Sequence, residues 1–226
     1  MYRKRLDMIT ENASGRVIAD IGTDHAFVPV KLIEKGKCER VIATDLNKGP
    51  LDAAKRTVEK NGMSDKIELR LGNGLAPIAP GECDTVIIAG MGGELLCKIL
   101  SDGKDIANSA ELLILQPMNA QDLLRKYLNE NNYTIMDEDI TVEGFKVYNL
   151  LKVKNGGNRR DIDEFSLHLP EYLYEKPCFK ELLAKKKREF TNIKKGLEAA
   201  DERDSEKIQK YSGFIERIKE LEINLD

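Results

Sequence analysis

The sequence contains no tryptophan, two histidines and only four cysteines, and these scarcities exclude several classes of protein. Cys38, Cys83, Cys97 and Cys178 are widely scattered and lack the CxxC or Cys/His spacing of a zinc site. Such cysteines suit a reducing cytoplasm better than a disulfide-stabilised secreted domain. No Ser/His/Asp or Cys/His arrangement typical of a covalent nucleophile can be identified either. We therefore expect a cytoplasmic protein without a metal site.

Long apolar runs and a large net charge are missing as well. No stretch of 18 apolar residues occurs, and the N-terminal MYRKRLDMIT has no apolar segment, so neither membrane insertion nor secretion is predicted. Charged residues make up 33% of the chain but nearly cancel, leaving a formal net charge of -3. Only the distribution of charge can therefore indicate a nucleic-acid partner. A hydrophobic content of 41% indicates a globular protein with a proper core.

What the sequence does have is a series of apolar runs, each ending in a polar or glycine-rich turn before a helical pattern. Strands are predicted at Val17–Asp20, Arg40–Asp45, Lys66–Leu71, Cys83–Ala89 and Glu111–Leu115. Helices are predicted over 2–13, 27–35, 50–61, 94–101 and 120–131. Two extended patterns, 133–142 and 145–153, are joined by a Glu-Gly turn and predict an antiparallel hairpin.

Five strand–helix units closed by an antiparallel hairpin are typical of one fold class. This is the α/β, Rossmann-like fold of class I S-adenosylmethionine (SAM)-dependent methyltransferases, with a seven-stranded mixed sheet. A dehydrogenase would continue with parallel units, and its GxGxxG pattern is absent. Residues 1–158 are therefore predicted to form a SAM-binding domain.

Residues 159–226 have a different composition and predict a small all-α, coiled-coil-like domain. Apolar residues recur at helical spacing from 182 to 197 and again from 208 to 221, on a background rich in Lys and Glu. This pattern indicates two antiparallel helices packed as a hairpin. Because their apolar stripes can cover each other within one chain, a monomer is predicted.

Ligands of open α/β sheets bind beyond the carboxyl ends of the strands. The first such end is Asp20-Ile21-Gly22-Thr23-Asp24-His25, where Gly22 would let the backbone approach a ligand and Asp20 would brace the turn or bind an ammonium group. Asp45 ends the second strand, where an acid suits two hydrogen bonds to ribose hydroxyls. The alternatives are an ordinary strand–turn–helix junction for the first loop and a helix N-cap for Asp45.

Three further strand ends are expected to complete the site. The loop 72–74 would read an adenine edge, although a plain turn explains its glycines nearly as well. The glycine-rich stretch 89–93 would form the wall beside the reacting methyl group, and two amides, Gln116 and Asn119, are candidate readers of the acceptor base. His25 is a candidate base or cofactor contact, but a structural hydrogen-bonding role is commoner for such a histidine. The predicted cofactor contacts are Asp20, Gly22, Thr23, Asp24, His25, Asp45, Leu46, Gly72, Asn73, Gly74, Ala89, Gly90 and Met91.

A set of basic residues marks the first half of the helical region and is a candidate phosphate-binding stripe. Acidic residues interleave with it, so a solvated helix face is an equally good interpretation. The candidate phosphate-binding residues, which the resemblance described next would make tRNA-binding residues, are Lys176, Lys180, Lys185, Lys186, Lys187 and Arg188.

At these residues the sequence resembles a known family, the bacterial tRNA (adenine(22)-N1)-methyltransferases of the TrmK type. The resemblance rests on residues 19–29 (ADIGTDHAFVP), 47–50 (NKGP), 88–93 (IAGMGG) and 115–118 (LQPM), and it extends over essentially the whole chain. It implies methyl transfer from SAM to N1 of an adenine in the D-arm region of tRNA, aided by the helical arm.

The resemblance also bears on individual residues. It places Asp20, Gly22, Asp24, His25 and Asp45 on the cofactor loops. We expect Asp24 near the acceptor, where a carboxylate would stabilise the cationic product. The Asn/Asp-Pro-Pro-Tyr loop of other adenine methyltransferases is absent, so base stacking by such a loop is not implied.

Two other functions remain open at this point. One keeps SAM but changes the acceptor to another RNA base or to a small molecule. The other is a non-catalytic RNA- or protein-binding module with a Rossmann-like fold, which the set of Asp20, Gly22 and Asp45 disfavours.

Overall fold

The structure is a computed structural model that describes residues 4–225. The strands are β1 (Val17–Ile21), β2 (Arg40–Asp45), β3 (Ile67–Leu71), β4 (Thr85–Met91), β5 (Leu112–Pro117), β6 (Tyr133–Glu143) and β7 (Lys146–Asn155). The helices are α1 (Lys4–Asn12), α2 (Phe27–Glu34), α3 (Lys48–Lys60), α4 (Gly93–Asp102), α5 (Lys104–Ser109), α6 (Gln121–Glu130), α7 (Glu164–His168), α8 (Phe179–Ala199) and α9 (Ser205–Asn224). A 3-10 turn covers Glu171–Leu173.

All seven strands form one sheet in the order β3-β2-β1-β4-β5-β7-β6. The first five strands are parallel, whereas β7 is antiparallel to both β5 and β6. The predicted Rossmann-like mixed sheet with its closing hairpin is confirmed. Every residue of β1 is buried, as expected for a parallel strand covered on both faces, which explains its continuous apolar run.

The sheet lies between two layers of helices, each with its own apolar cluster. Side chains of α4, α5 and α6, such as Leu100 and Leu124, pack on one face. Side chains of α1, α2 and α3, such as Ile9, Leu32 and Val58, pack on the other. None of the helices within residues 4–225 is long and apolar enough to cross a membrane.

Several predicted boundaries shift. α3 begins at Lys48 rather than residue 50, because Gly49 and Pro50 fit in its first turn, where a proline needs no N–H partner. β1 continues to Ile21, and both strands of the hairpin are longer than predicted. α5, α7 and the 3-10 turn have six, five and three residues, too short to give a periodic pattern. The first positions of the predicted helix 2–13, and Asp226, lie outside the described residues.

The C-terminal helices form the predicted helical hairpin. Lys187, early in α8, pairs with Glu222, late in α9, which is the contact expected for antiparallel helices. Phe190 and Phe214 meet between them with ring centroids 5.3 Å apart. The same apolar cluster also contains Ile140 of β6 and Val147 of β7, so the arm packs directly on the sheet hairpin. A domain boundary at residue 158 stays a prediction.

A buried ion pair joins the segment leading to the arm to the sheet. Arg125 of α6 donates from Nε to Glu138 of β6 at 3.0 Å and from Nη1 to the carbonyl of Leu167 at 2.6 Å. The Glu138 carboxylate also accepts from Tyr172 at 3.1 Å and Asn149 at 2.8 Å. Both charged side chains are almost completely buried, so their charges are satisfied only by these partners.

Replacing Arg125 with methionine is expected to lower the free energy of unfolding by about 3–5 kcal/mol, because the Glu138 carboxylate would stay buried without its partner. Chemical denaturation followed by circular dichroism measures this change. The matched control is Lys98→Met, which removes an exposed pair with Asp102 (2.8 Å) and should change the free energy by at most about 1 kcal/mol. Equal effects of the two substitutions would contradict the prediction.

Candidate cofactor and acceptor site

The loop after β1 turns at Gly22 and is held against β2. The φ angle of Gly22 is 73°. The backbone N–H groups of Gly22 and Thr23 both donate to the carbonyl of Thr44, at 2.9 and 2.8 Å. A Cβ on Gly22 would lie 2.2 Å from Cε of Met91, at the end of β4. Position 22 therefore favours glycine for its left-handed backbone, and any Cβ there would also require the flexible end of the Met91 side chain to move.

Asp45, at the end of β2, carries a buried carboxylate that two backbone donors orient. The N–H of Asp24 reaches Oδ2 at 3.2 Å, and the N–H of Asn47 reaches Oδ1 at 2.9 Å. Because α3 follows Asn47 and has no side-chain cap, the alternative that Asp45 caps this helix is wrong. Each carboxylate oxygen keeps further acceptor capacity, which suits two neighbouring hydroxyl groups.

Asp20, at the end of β1, is 4% exposed. The pKa of this carboxyl is raised to about 6, mainly by burial and also by the charge of Asp45, while the Thr23 hydroxyl and the charge of Arg5 act in the opposite direction. The side chain lines a crevice of about 320 Å³ together with Thr23, Gly90 and other residues of the strand ends. A cationic ligand group placed here would favour the ionised carboxylate.

Arg5 is a member of this crevice that the sequence analysis missed. Its Nη1 donates to Oε1 of Gln116 at 3.0 Å, and its backbone N–H donates to Glu143 at 3.1 Å. The guanidinium also lies 5.8 Å from the ring centroid of Tyr148. The signal was present, because Arg5 precedes the buried Ile9 by four residues and so shares its face of α1.

The acceptor side of the crevice differs from the prediction at Gln116. This side chain is completely buried. Its oxygen accepts from Arg5 and its Nε2 donates to the carbonyl of Pro117 at 3.1 Å, so the structure does not place it in the crevice. Asn119 is exposed, and its Oδ1 lies 3.3 Å from the N–H of Gly93. Ala89, Gly90 and Met91 are the last residues of β4 and lie beside the first loop, whereas the predicted strand 83–89 begins and ends two residues earlier.

Asp24 and His25 lie at the mouth of the crevice, where both are exposed. Nδ1 of His25 is 2.8 Å from the Asp24 carboxylate, and its ring stacks on Phe27 with centroids 5.4 Å apart. Asp24 has a φ angle of 54°, which is uncommon for a residue with a Cβ. In this conformation its backbone N–H donates to the Asp45 carboxylate. Contact of Asp24 or His25 with a cofactor stays a prediction.

The third strand end lies next to Asp45. The N–H of Gly72 donates to the carbonyl of Asp45 at 2.9 Å, and a Cβ on Gly72 would lie 2.3 Å from Pro77. Asn73 is exposed, and Gly74 has a φ angle of 53°, so the loop is also a tight turn. Leu46, after Asp45, is 61% exposed. Contact of these residues with an adenine stays a prediction.

The six predicted tRNA-binding residues do not form one continuous exposed stripe. Lys176 lies between Asp137 and Asp139, at 2.7 and 3.1 Å. Lys187 is engaged by Glu222. Contact of either lysine with RNA would require these ion pairs to open.

The other four basic residues fall into two groups. Lys185 and Lys186 lie 3.9 and 2.9 Å from Glu189, and Lys186 is only 5% exposed. Lys180 and Arg188 are exposed. Binding of tRNA by any of the six stays a prediction.

Within residues 4–225, no group of three or more His, Cys, Asp or Glu side chains is placed to hold a metal ion. Burial raises the pKa of Cys38, Cys83 and Cys97 to about 11, so these thiols stay protonated near neutral pH.

Comparison with known proteins identifies the family. A methyltransferase-domain family model matches residues 2–151. The tRNA (adenine(22)-N(1))-methyltransferase of Bacillus subtilis (strain 168) is 41% identical over 165 residues, which are 73% of this chain and 69% of that protein. The chain belongs to the TrmK family of tRNA (adenine(22)-N1)-methyltransferases.

Solved TrmK-type structures resemble this chain over its whole length. The crystal structure of the B. subtilis m1A22 tRNA methyltransferase TrmK has a TM-score of 0.85 at 32% identity, covering 100% of this chain and 99% of that one. A Streptococcus pneumoniae protein, described as a candidate tRNA (m1A22) methyltransferase and crystallised with SAM, has a TM-score of 0.84 at 31% identity, with both chains fully covered. The resemblance noted in the sequence is thereby confirmed.

The substitution Gly22→Ala is expected to lower stability more than Gly62→Ala. Both glycines have left-handed backbones, with φ angles of 73° and 66°. Gly62 has open space around its Cβ position, whereas the new methyl at Gly22 would overlap Met91. Backbone strain should cost about 1 kcal/mol at either site. Moving the flexible end of Met91 should add about 1 kcal/mol at Gly22, the lower end of the cost of overpacking. Thermal and urea denaturation measure the difference, and equal losses would argue against close packing at Gly22.

SAM affinity is expected to fall as pH is lowered from 7 to 5. The Asp20 carboxylate is ionised above its pKa of about 6 and can attract the SAM ammonium. Below that pH it becomes neutral and the attraction is lost. Asp20→Asn should bind SAM about 10–100-fold more weakly at pH 7, the range for a lost charged hydrogen bond, and its affinity should vary less with pH. Isothermal titration calorimetry measures both, and an unchanged pH profile in the variant would exclude Asp20 as the source.

Proposed function

We propose that this chain transfers the methyl group of SAM to N1 of an adenine in the D-arm region of tRNA. The observation that carries the proposal is the carboxylate of Asp45, which two backbone N–H groups fix beside a glycine-lined crevice at the carboxyl edge of the sheet. This geometry suits a ribose diol, and the family relationship gives the acceptor.

The residues present fit the cofactor group by group. Asp45 would accept from the ribose hydroxyls, and Asp20 would face the methionine ammonium. The positive charge of Arg5, in the same crevice, would face the methionine carboxylate. Leu46 and Leu71, 61% and 58% exposed at the ends of β2 and β3, offer apolar surface that a purine ring would cover. SAM supplies a methyl group already activated by its sulfonium.

The acceptor side needs few chemical groups. Adenine N1 carries a lone pair at neutral pH, so the chain does not have to remove a proton before attack, and its task is alignment. A planar base would lie against the wall formed by Gly90 and Met91. The product is a cation, and the exposed carboxylate of Asp24, in the same crevice as Gly90, would stabilise it. Asn119 is the remaining candidate for contact with the base edge.

The C-terminal arm would hold the tRNA while the base is exposed. N1 lies on the Watson–Crick edge, so a paired or stacked adenine must first leave its helix. Holding the RNA body next to the sheet edge would stabilise that arrangement. Arg188, exposed on α8, is available for such contacts.

The test is a methylation assay with purified protein, labelled SAM and unmodified tRNA, followed by nucleoside analysis. 1-Methyladenosine should form with the wild-type chain. Asp45→Ala should lower kcat/KM by about 100-fold or more, because two hydrogen bonds to a charged group are lost. Asp52→Ala removes an exposed carboxylate on α3 and serves as the matched control, with activity within about two-fold of wild type.

The possible negative results separate the parts of the proposal. SAM binding without methylation of tRNA would contradict the substrate but not the cofactor site. Label in another nucleoside would contradict adenine N1 as the acceptor atom. Absence of SAM binding would contradict the interpretation of the crevice itself.

A further inference from the structure

A second groove lies between the acceptor edge of the sheet and the helical arm. It encloses about 400 Å³. Met118 and Asn119, which follow β5, line one side, and Lys185, Lys186 and Glu189 of α8 line the other. The groove thus adjoins the predicted acceptor site and also touches the element expected to hold RNA.

The start of α6 presents hydrogen-bond donors to this groove. Ala120 precedes the helix in a left-handed conformation and supplies no side-chain cap, so the first N–H groups of this ten-residue helix lack that partner. Gln121, at the first helical position, is 3% exposed and lines the groove. Its Nε2 is buried and has no hydrogen-bond partner in the described part of the chain. A buried amide donor without an acceptor is costly unless a ligand or water satisfies it.

Positive charge at the groove is local to α8, because two lysines and two carboxylates line it. The ammonium groups of Lys185 and Lys186 share the single carboxylate of Glu189, so that group of three carries one excess positive charge. The other carboxylate at the groove, Asp122, lies 3.6 Å from Nδ1 of His168. Burial lowers the pKa of His168, so this imidazole is neutral near pH 7 and does not compensate the charge of Asp122. Burial lowers the pKa of Lys185, which means that its charge is only partly compensated by the present surroundings.

We propose that this groove binds a phosphate group of the tRNA backbone close to the target nucleotide. The inference rests on the proposed function, since that function brings RNA to this edge. A phosphate offers several acceptor oxygens at once. These would match the N–H groups and the buried Gln121 amide at the start of α6 together with the two lysine ammonium groups of α8. On binding, the lysines would turn from Glu189 to the phosphate.

The experiment measures tRNA affinity of the full chain as a function of salt concentration. Lys186→Gln removes a buried ammonium, and Gln121→Glu replaces the unpartnered donor with a like-shaped anion. Each should weaken tRNA binding about ten-fold, and Lys186→Gln should reduce the slope of log K against log salt by about one. Glu189→Gln removes the competing carboxylate and should tighten binding about three-fold or more.

The matched control is Lys195→Gln, on an exposed position of the same helix, which removes one charge outside the groove. It should change affinity by less than about two-fold. SAM affinity and thermal melting of every variant confirm that the sheet remains folded. Should Lys186→Gln fail to fold, the other two groove variants, with opposite expected signs, still decide the matter.

Two results would overturn the inference, and a third would overturn only the proposed function. Groove variants that bind tRNA with the affinity and salt slope of the Lys195→Gln control would show that no backbone phosphate is bound there. Inorganic phosphate is also titrated at constant ionic strength. Variants that keep wild-type affinity for tRNA but no longer bind inorganic phosphate would show that the groove binds free phosphate and not RNA. If the wild-type chain binds tRNA but does not methylate it, the proposed function is wrong. The affinities of the groove variants would then still decide whether the groove binds a backbone phosphate.

Discussion

Two opposite charges, on Arg125 and Glu138, lie where neither side chain reaches solvent, and the relation between sheet and arm depends on them. A buried pair is stable only if its remaining donors and acceptors are satisfied. Here the guanidinium also holds the carbonyl of Leu167, and the carboxylate holds Tyr172, so the segment after the sheet is fixed at two points. The apolar contacts of α8 and α9 with the hairpin then build on a segment already in place.

The cofactor edge faces a different electrostatic problem, because Asp20 and Asp45 bring two acids close together. Backbone N–H groups satisfy Asp45, and the positive charge of Arg5 partly offsets the burial of Asp20. The loop that follows β1 contains residues in the left-handed conformation, among them Asp24 and Ala26, and this conformation costs backbone strain energy. A site held in this way needs little rearrangement when a charged ligand enters.

Most of the strands could be predicted because buried parallel strands are continuous apolar runs, as in Val17–Ile21. The direction of a side chain at a strand end was harder to predict than the strand itself. Gln116 was expected in the crevice because it ends a strand, but Arg5, far away in sequence, covers it. Contacts between a first helix and a fifth strand leave no local pattern.

The burial of Lys186 could have been predicted from the helical pattern. It lies four residues after Leu182 and four before Phe190, both buried, so its position belongs to the inner face of α8. A count of basic residues along the helix placed it on the surface, and the periodicity of its neighbours corrects this. The same rule would have found Arg5 on α1.

The strand order has a consequence for how such a protein can change over time. The proposed cofactor contacts come mainly from β1, β2 and β3, at one side of the sheet, whereas the arm rests on β6, β7 and α6 at the other. Only β4 and β5 lie between them. The half next to the arm is the one proposed to hold RNA. Substitutions there can therefore accumulate while the half proposed to bind the cofactor stays constant, so the two halves can evolve separately.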